Sequence, residues 1–391
     1  MSDQPELTSF AHTTWDIVVV GAGPAGAMAA RECARTGASV LLVEKSAWPR
    51  YKVCGCCINL HALATLQEAG LGELPMRAGA QPIERFELRA SNHCATVPLP
   101  GGVALSRERF DAALVEAARE SGAVFLPETT ARLSSGSDAA RAVILKGRNG
   151  FVTITAKIVL AADGLGGKLL KSAQDFDSPP TEDSRIGAGA VIEHAPDHYE
   201  AGTIYMASGR HGYVGLVRVD GGRLDIAAAL DAEWVKSVGG LPEAAAAILR
   251  EAGFESPPGM AEAHWKGTPP LTRRATSIAA HRFLVLGDAA GYVEPFTGEG
   301  MAWALASGRA IAPIVCDSIL DFNETTQARW EQVYRDIITK RQVLCRLISM
   351  GLRKPALVRT ATAALAAAPG LARPVVHRLN APPSQRKANP A

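Results

Sequence analysis

The chain has 391 residues, 47% of them hydrophobic, and a formal net charge of +2. That length allows a large core and more than one structural unit, and the near-neutral balance excludes the broad basic footprint of a nucleic-acid binder. There is no uninterrupted apolar run of the roughly 18–20 residues a membrane span needs, the start "MSDQPELTSFAHTTWD" lacks the blocks of a secretion signal, and the seven cysteines are odd in number and clustered, all of which points to a cytoplasmic protein.

Asp16–Val20 is a β-branched run ending at Gly21 and reads as a buried parallel strand. Pro24–Arg35 reads as a helix, and Ser39–Val43 as a second strand ending in Glu44. This βαβ unit carries Gly21, Gly23 and Gly26 at its turn. Gly21 allows the tight turn, Gly23 lets backbone approach a pyrophosphate, and Gly26 lets helix and strand pack closely. A carboxylate at Glu44 suits a ribose without a 2′-phosphate, so FAD or NAD fits better than NADP. "RYKVCGCCINL" follows, with Cys54, Cys56 and Cys57 inside four positions. Zinc would need two more ligands, and neither His61 nor His93-Cys94 has a standard spacing, so no metal is expected. A redox dithiol and small buried apolar residues both remain readings of these cysteines.

Ser106–Ser121 has helical spacing, and Val124–Glu128, Ala131–Leu133, Ala142–Lys146 and Phe151–Ala156 read as short strands separated by turn signals. "KIVLAADGLGG" is a further strand entering a loop at Asp163-Gly164. From about Arg185 to Trp265, strand-like alternation suggests a separate antiparallel sheet suited to wall a substrate pocket. Its best polar groups for acid–base work are His211 and Tyr213. "HRFLVLGDAAGYVEPFTGEGMAWALASG" again reads as buried strand, Gly-Asp, loop and a helix from about Met301, and Thr326–Leu352 has helical spacing. From Lys340 onward there are ten Lys/Arg and no Asp or Glu, which leaves the preceding residues at −8 against the whole-chain +2. Such a tail can meet anionic lipid, a CoA- or carrier-bound substrate, or water. The Pro/Ala/Arg-rich end reads as loose.

Three segments belong together: "GAGPAG" with Glu44, "AADG" at Ala161–Gly164, and "GDAAGYVEPFTGEGMAWALASG" at Gly287–Gly308. Over roughly residues 14–320 they resemble the FAD-dependent oxidoreductases of the para-hydroxybenzoate-hydroxylase fold. "PRYKVCG" followed by "INLHALATL" resembles the geranylgeranyl-reductase branch. The resemblance implies an α/β fold in which a discontinuous Rossmann-like FAD-binding domain (14–62, 100–175, 270–320) carries an inserted antiparallel-sheet substrate domain (63–99, 176–269). A C-terminal helical region and basic tail (321–391) would follow. It implies FAD as cofactor, with Asp288 on the ribityl hydroxyls, Gly287 letting backbone approach the pyrophosphate, and Arg107 on the phosphates. Gly298, Glu299 and Gly300 would run along the isoalloxazine, with Pro295 opening the loop that leads into the helix, Cys54-Gly55 near the ring system, and Lys45 next to Glu44 among the cofactor-binding residues. Asp163 would serve both FAD and nicotinamide. Cys54, His211 and Tyr213 are the candidate catalytic residues.

The sequence departs from the family at Gly167, where Ser is usual. In the Tyr-x-Trp-x-Phe-Pro stretch only Tyr213 is kept, with Gly215, Leu216 and Val217 replacing the rest. A single GxGxxG makes NADH or NADPH a transient reductant, and no Trp-x-Trp motif suggests halogenation. The first expectation is hydroxylation of an aromatic or polyketide-like apolar substrate with NAD(P)H and O2. The alternatives are saturation of a double bond in an isoprenoid or other lipid, and a non-catalytic flavin-binding accessory role. The expected partner is a large apolar small molecule, free or CoA- or carrier-bound, with peripheral membrane contact through the basic tail at the inner face.

Overall fold

The computed structural model describes residues 7–11, 13–173, 176–294, 296 and 298–380. In chain order the main elements begin with β1 (Thr14–Val20), α1 (Pro24–Ala34), β2 (Val40–Val43), α2 (Leu60–Glu68), β3 (Arg85–Ala90) and β4 (His93–Pro98). Next come α3 (Arg107–Glu120), β5 (Val124–Leu126), β6 (Thr130–Gly136), β7 (Arg141–Gly147) and β8 (Gly150–Ala161). The chain continues through β9 (Ile186–Ile192), β10 (Thr203–Gly209), β11 (Gly212–Arg218), β12 (Leu224–Leu230), α4 (Leu241–Glu251), β13 (Lys266–Pro270) and β14 (Phe283–Val285). It ends in α5 (Gly300–Asp317), α6 (Glu324–Tyr334), α7 (Lys340–Leu352), α8 (Pro355–Ala367) and α9 (Arg373–Asn380).

The first sheet runs β14-β8-β1-β2-β5, and these neighbours pair in parallel. Ile17 lies between Ile158 and Val40, and Val18 between Val159 and Leu41. These strands are covered on both faces, which is why they are near-continuous aliphatic runs. β8 is one twelve-residue strand where the sequence suggests two. Its first half pairs antiparallel with β7, and its second half joins the parallel core. α1 and α5 pack backbone to backbone on this sheet, because a Cβ on Gly308 would overlap the carbonyl of Ala25. The expected boundary at 63 falls inside α2, whose Ala62 and Leu66 are buried in this same core.

The second sheet has the order β13-β9-β12-β11-β10-β3-β4. It is antiparallel except where β10 lies parallel to β3, with Thr203 opposite Arg85. α4 packs on it through Ala244, Ala245, Ile248 and Leu249. The helical spacing from 326 to 352 resolves into α6, a π-helical turn at Arg335–Thr339, and α7. From Pro355 to Asn380 the chain is not loose: α8 and α9 continue the helical region, and the last part of the Pro/Ala/Arg-rich end lies outside the described residues. No described helix is long and apolar enough to cross a membrane.

Candidate cofactor and substrate site

Four parallel strands of the first sheet end at one place. β1 ends at Gly21, β2 at Glu44, β8 before Asp163, and β14 before Gly287-Asp288. A ligand cleft at the carboxyl ends of parallel strands is the general outcome of this topology. A single cavity of about 1040 Å³ opens there, and Gly21, Gly23, Glu44, Lys45, Arg107 and Asp288 are among its walls.

A dinucleotide fits this end. Gly23 caps α1 without any side-chain hydrogen bond, so the helix N-terminus faces the cavity with its amides open. A Cβ at Gly23 would meet only the guanidinium groups of Arg107 (3.7 Å) and Arg50 (3.8 Å). Arg107 is bidentate to Asp111, at 2.8 and 2.7 Å, and Arg50 bridges Asp111 (2.8 Å) and Glu44 (3.3 Å). Two cations thus stand over the turn, fixed by buried carboxylates, with Lys52 4.0 Å from Asp288 on the far side. Glu44 accepts from the Ala22 amide (3.1 Å) and the Ser46 amide (3.0 Å). Burial alone would raise its pKa, but Arg50 and these two amides outweigh burial and hold it below the usual carboxylate range. Gly26 is not on the cavity wall; a Cβ there would overlap the Gly21 carbonyl, so it serves the helix–strand packing.

At the other end of the cleft, Gly298, Gly300 and Met301 bring the uncapped N-terminus of α5 to the cavity. Pro295 lies outside the described residues. Two expectations need correction here. Glu299 turns its side chain away from the cavity, accepting from Asn59 Nδ2 (2.9 Å) beside the buried His61 (3.7 Å). It therefore fixes the loop rather than lying along a ring system. The Gly287 amide donates to Ser307 Oγ (3.1 Å), and a Cβ at Gly287 would stand 2.7 Å from that of Ala25. It brings β14 close to α1 and offers no free amide to a phosphate.

Asp163 accepts from the Leu169 amide (3.0 Å), and any side chain at 167 would overlap its carboxylate. Gly167 and the inward turn of Asp163 are therefore one feature, and burial pushes this carboxyl up.

The three clustered cysteines differ. All seven cysteines are free thiols, and no group of three His, Cys, Asp or Glu among the described residues could hold a metal. Cys57 donates to the Gly55 carbonyl (2.9 Å), and burial raises it. The Cys56 thiol donates to Cys54, and the Arg107 guanidinium lies beside it, so Cys54 is lowered despite burial while Cys56 is raised. Cys54 and Gly55 both line the cavity.

From the cleft the cavity continues along the second sheet past Leu88, Val97, Ile204, Met206 and Leu216. Tyr213 lines this part, with its hydroxyl buried and without a partner and Phe296 edge-on at 5.1 Å. His211 is not on the wall. It stacks on Trp234 (4.7 Å) and pairs with Asp231 (3.3 Å) at the β10–β11 turn. Arg50 and Lys52 were not anticipated, although their Arg-x-Lys spacing stands directly before the cysteine loop. The far wall was not anticipated either: Ala361, Ala364 and Leu365 of α8 and Val376 and Leu379 of α9 close the cavity.

Residues 14–312 match the family model for the FAD binding domain. Digeranylgeranylglycerophospholipid reductase 1 of Methanopyrus kandleri is 29% identical over 349 residues, covering 82% of this chain and 87% of that protein. The menaquinone reductase of Mycobacterium tuberculosis (strain ATCC 25618 / H37Rv) is 27% identical over 337 residues, covering 77% and 76%. Among solved structures, the flavin-dependent brominase Bmp2 superposes with a TM-score of 0.78 over 94% of both chains at 16% identity, a likeness of fold.

Proposed function

The chain belongs to the FAD binding domain family and is an FAD-dependent oxidoreductase, and from that premise we propose that it saturates a carbon–carbon double bond in an isoprenoid or similarly long apolar lipid, with NADH or NADPH as the electron source. One observation carries this reading. The cofactor cleft and a long aliphatic chamber are one continuous cavity, walled by the second sheet and closed by α8 and α9. Beyond its cofactor end that cavity is lined by aliphatic side chains from both the second sheet and the C-terminal helices, which suit an apolar chain better than a small polar phenol. The similarity to proteins named for reduction of a digeranylgeranyl phospholipid and of menaquinone supports the same choice. The apolar far wall, which sequence spacing does not display, is the reason we favour this reading over hydroxylation, the first expectation from sequence.

The residues that would hold FAD are Gly21, Gly23, Glu44, Arg50, Arg107 and Asp288, with the α5 N-terminus at the flavin end. The chemistry that FAD, bound and reduced, would supply here is a hydride to one alkene carbon. The other carbon needs a proton, and Tyr213, which lines the chamber with its hydroxyl buried behind the wall, is the candidate to supply it once a bound substrate or a small shift of its ring brings the two together. Burial and the nearby Glu294 push its pKa well above the ordinary phenol range, so it stays in the donor form. It can yield the proton only to a centre more basic than phenolate, as a carbanion-like carbon is. Cys54, with the Arg107 guanidinium beside it, stands at the start of the chamber, and the aliphatic walls would exclude water.

The test loads the protein with FAD, reduces it anaerobically with NADH or NADPH, and adds a geranylgeranyl lipid in detergent. The oxidised flavin spectrum is expected to return without O2, and Tyr213→Phe slows that return by about 100-fold. Reoxidation by O2 alone, with hydroxylation of an added phenol, overturns the proposal.

A further inference from the structure

We propose that the outer face of α7, α8 and α9 docks on an anionic lipid bilayer, with the mouth of the cavity opening into it. Six of the nine exposed large hydrophobic residues among those described lie between 343 and 375: Val343, Leu347, Met350, Leu357, Leu371 and Val375. The first three recur at helical spacing along one side of α7, while Gln342, Cys345, Ser349 and Leu352 bury the other side. Leu357 continues the ridge across the turn, where a Cβ on Gly351 would touch it at 3.6 Å. Leu371 and Val375 are both exposed and part of the cavity wall, so the ridge forms its rim.

Charge selects the occupant. Lys354, Arg359, Arg373 and Arg378 are exposed around this ridge, and no Asp or Glu occurs from Lys340 to the end of the chain. None of the four forms an ion pair among the described residues. A second copy docked by the same face would oppose like charges, because a two-fold interface pairs a patch with itself. An anionic bilayer instead meets the cations with phosphates and takes the apolar side chains into its acyl boundary. A polyprenyl chain would then pass from bilayer to cavity without crossing water. Only this consequence rests on the proposed reductase function. Docking is measured without substrate, so it can fail while that function stands.

The experiment floats the FAD-loaded full chain with vesicles of phosphatidylglycerol and phosphatidylcholine, or of phosphatidylcholine alone. The protein is expected to float with the anionic vesicles, less so at high salt, and not with the neutral ones. Leu347→Glu with Met350→Glu, two residues 60% and 64% exposed, is expected to weaken flotation by about tenfold while the flavin spectrum stays intact. Arg359→Glu with Arg373→Glu is expected to abolish the preference for anionic vesicles. No flotation of the wild type at low salt overturns the proposal. So does a wild-type dimer that the Leu347/Met350 variant splits into monomers, since the face would then be a self-interface.

Discussion

Cys54 shows how much one residue's chemistry depends on neighbours that sequence spacing does not display. The cluster at 54–57 suggested sulfur chemistry in general. Only the fold turns the Cys56 thiol onto Cys54 and brings Arg107 from α3 beside it, lowering that one thiol; the same hydrogen bond and burial raise Cys56, and burial raises Cys57. A lowered pKa means the thiolate is already present at a pH where an ordinary thiol, near about 8.5, is protonated. Iodoacetamide is therefore expected to modify Cys54 of the FAD-free protein at neutral pH, ahead of the exposed Cys94 and far ahead of Cys57. Arg107→Met should move that reactivity to higher pH. Peptide mapping across a pH series reads this, with Cys316, lowered to about 7 by its hydrogen bond with Cys33, as a second marked thiol. Cys54 reacting in step with Cys94 would contradict the lowering of Cys54 by Cys56 and Arg107.

At the scale of elements, legibility followed local signal. The βαβ unit was plain because aliphatic strands, glycines and Glu44 fall within one short stretch. The central members of the second sheet could be read from their alternation, but its outer strands β3, β4 and β13 and its order could not, since β10 lies parallel to β3, more than a hundred residues earlier in the chain. α8 hid for a different reason. Its buried residues are only Val358 and Thr362, and it walls the cavity through Ala361, Ala364 and Leu365, in an alanine-rich run that gives no periodic stripe. The α1–α5 contact makes a sharper prediction. Gly308→Ala places a methyl on the Ala25 carbonyl and is expected to cost about 1–3 kcal/mol, seen as a lower Tm in thermal unfolding. Gly370→Ala, where a Cβ meets nothing within 4 Å, should leave Tm nearly unchanged. Equal effects would mean that α1 and α5 are not held by that close approach.

For the whole molecule, the two sheets and the C-terminal helices divide the work. The first sheet gathers strand ends, helix N-termini and paired arginines into a dinucleotide cleft. The second sheet supplies an aliphatic wall that includes Tyr213, the proposed proton donor, and the C-terminal helices complete that wall and give the chamber an apolar, basic rim. Glycine spacing revealed the first part from sequence. The choice between hydroxylation and reduction was not legible there, because it depends on which distant segments share a cavity. The mass of the product formed anaerobically from a geranylgeranyl lipid by the FAD-loaded protein and NAD(P)H tests that choice most directly. The account predicts a product with two hydrogens more per double bond and no added oxygen. A product that carries an extra oxygen atom and forms only in air would contradict it.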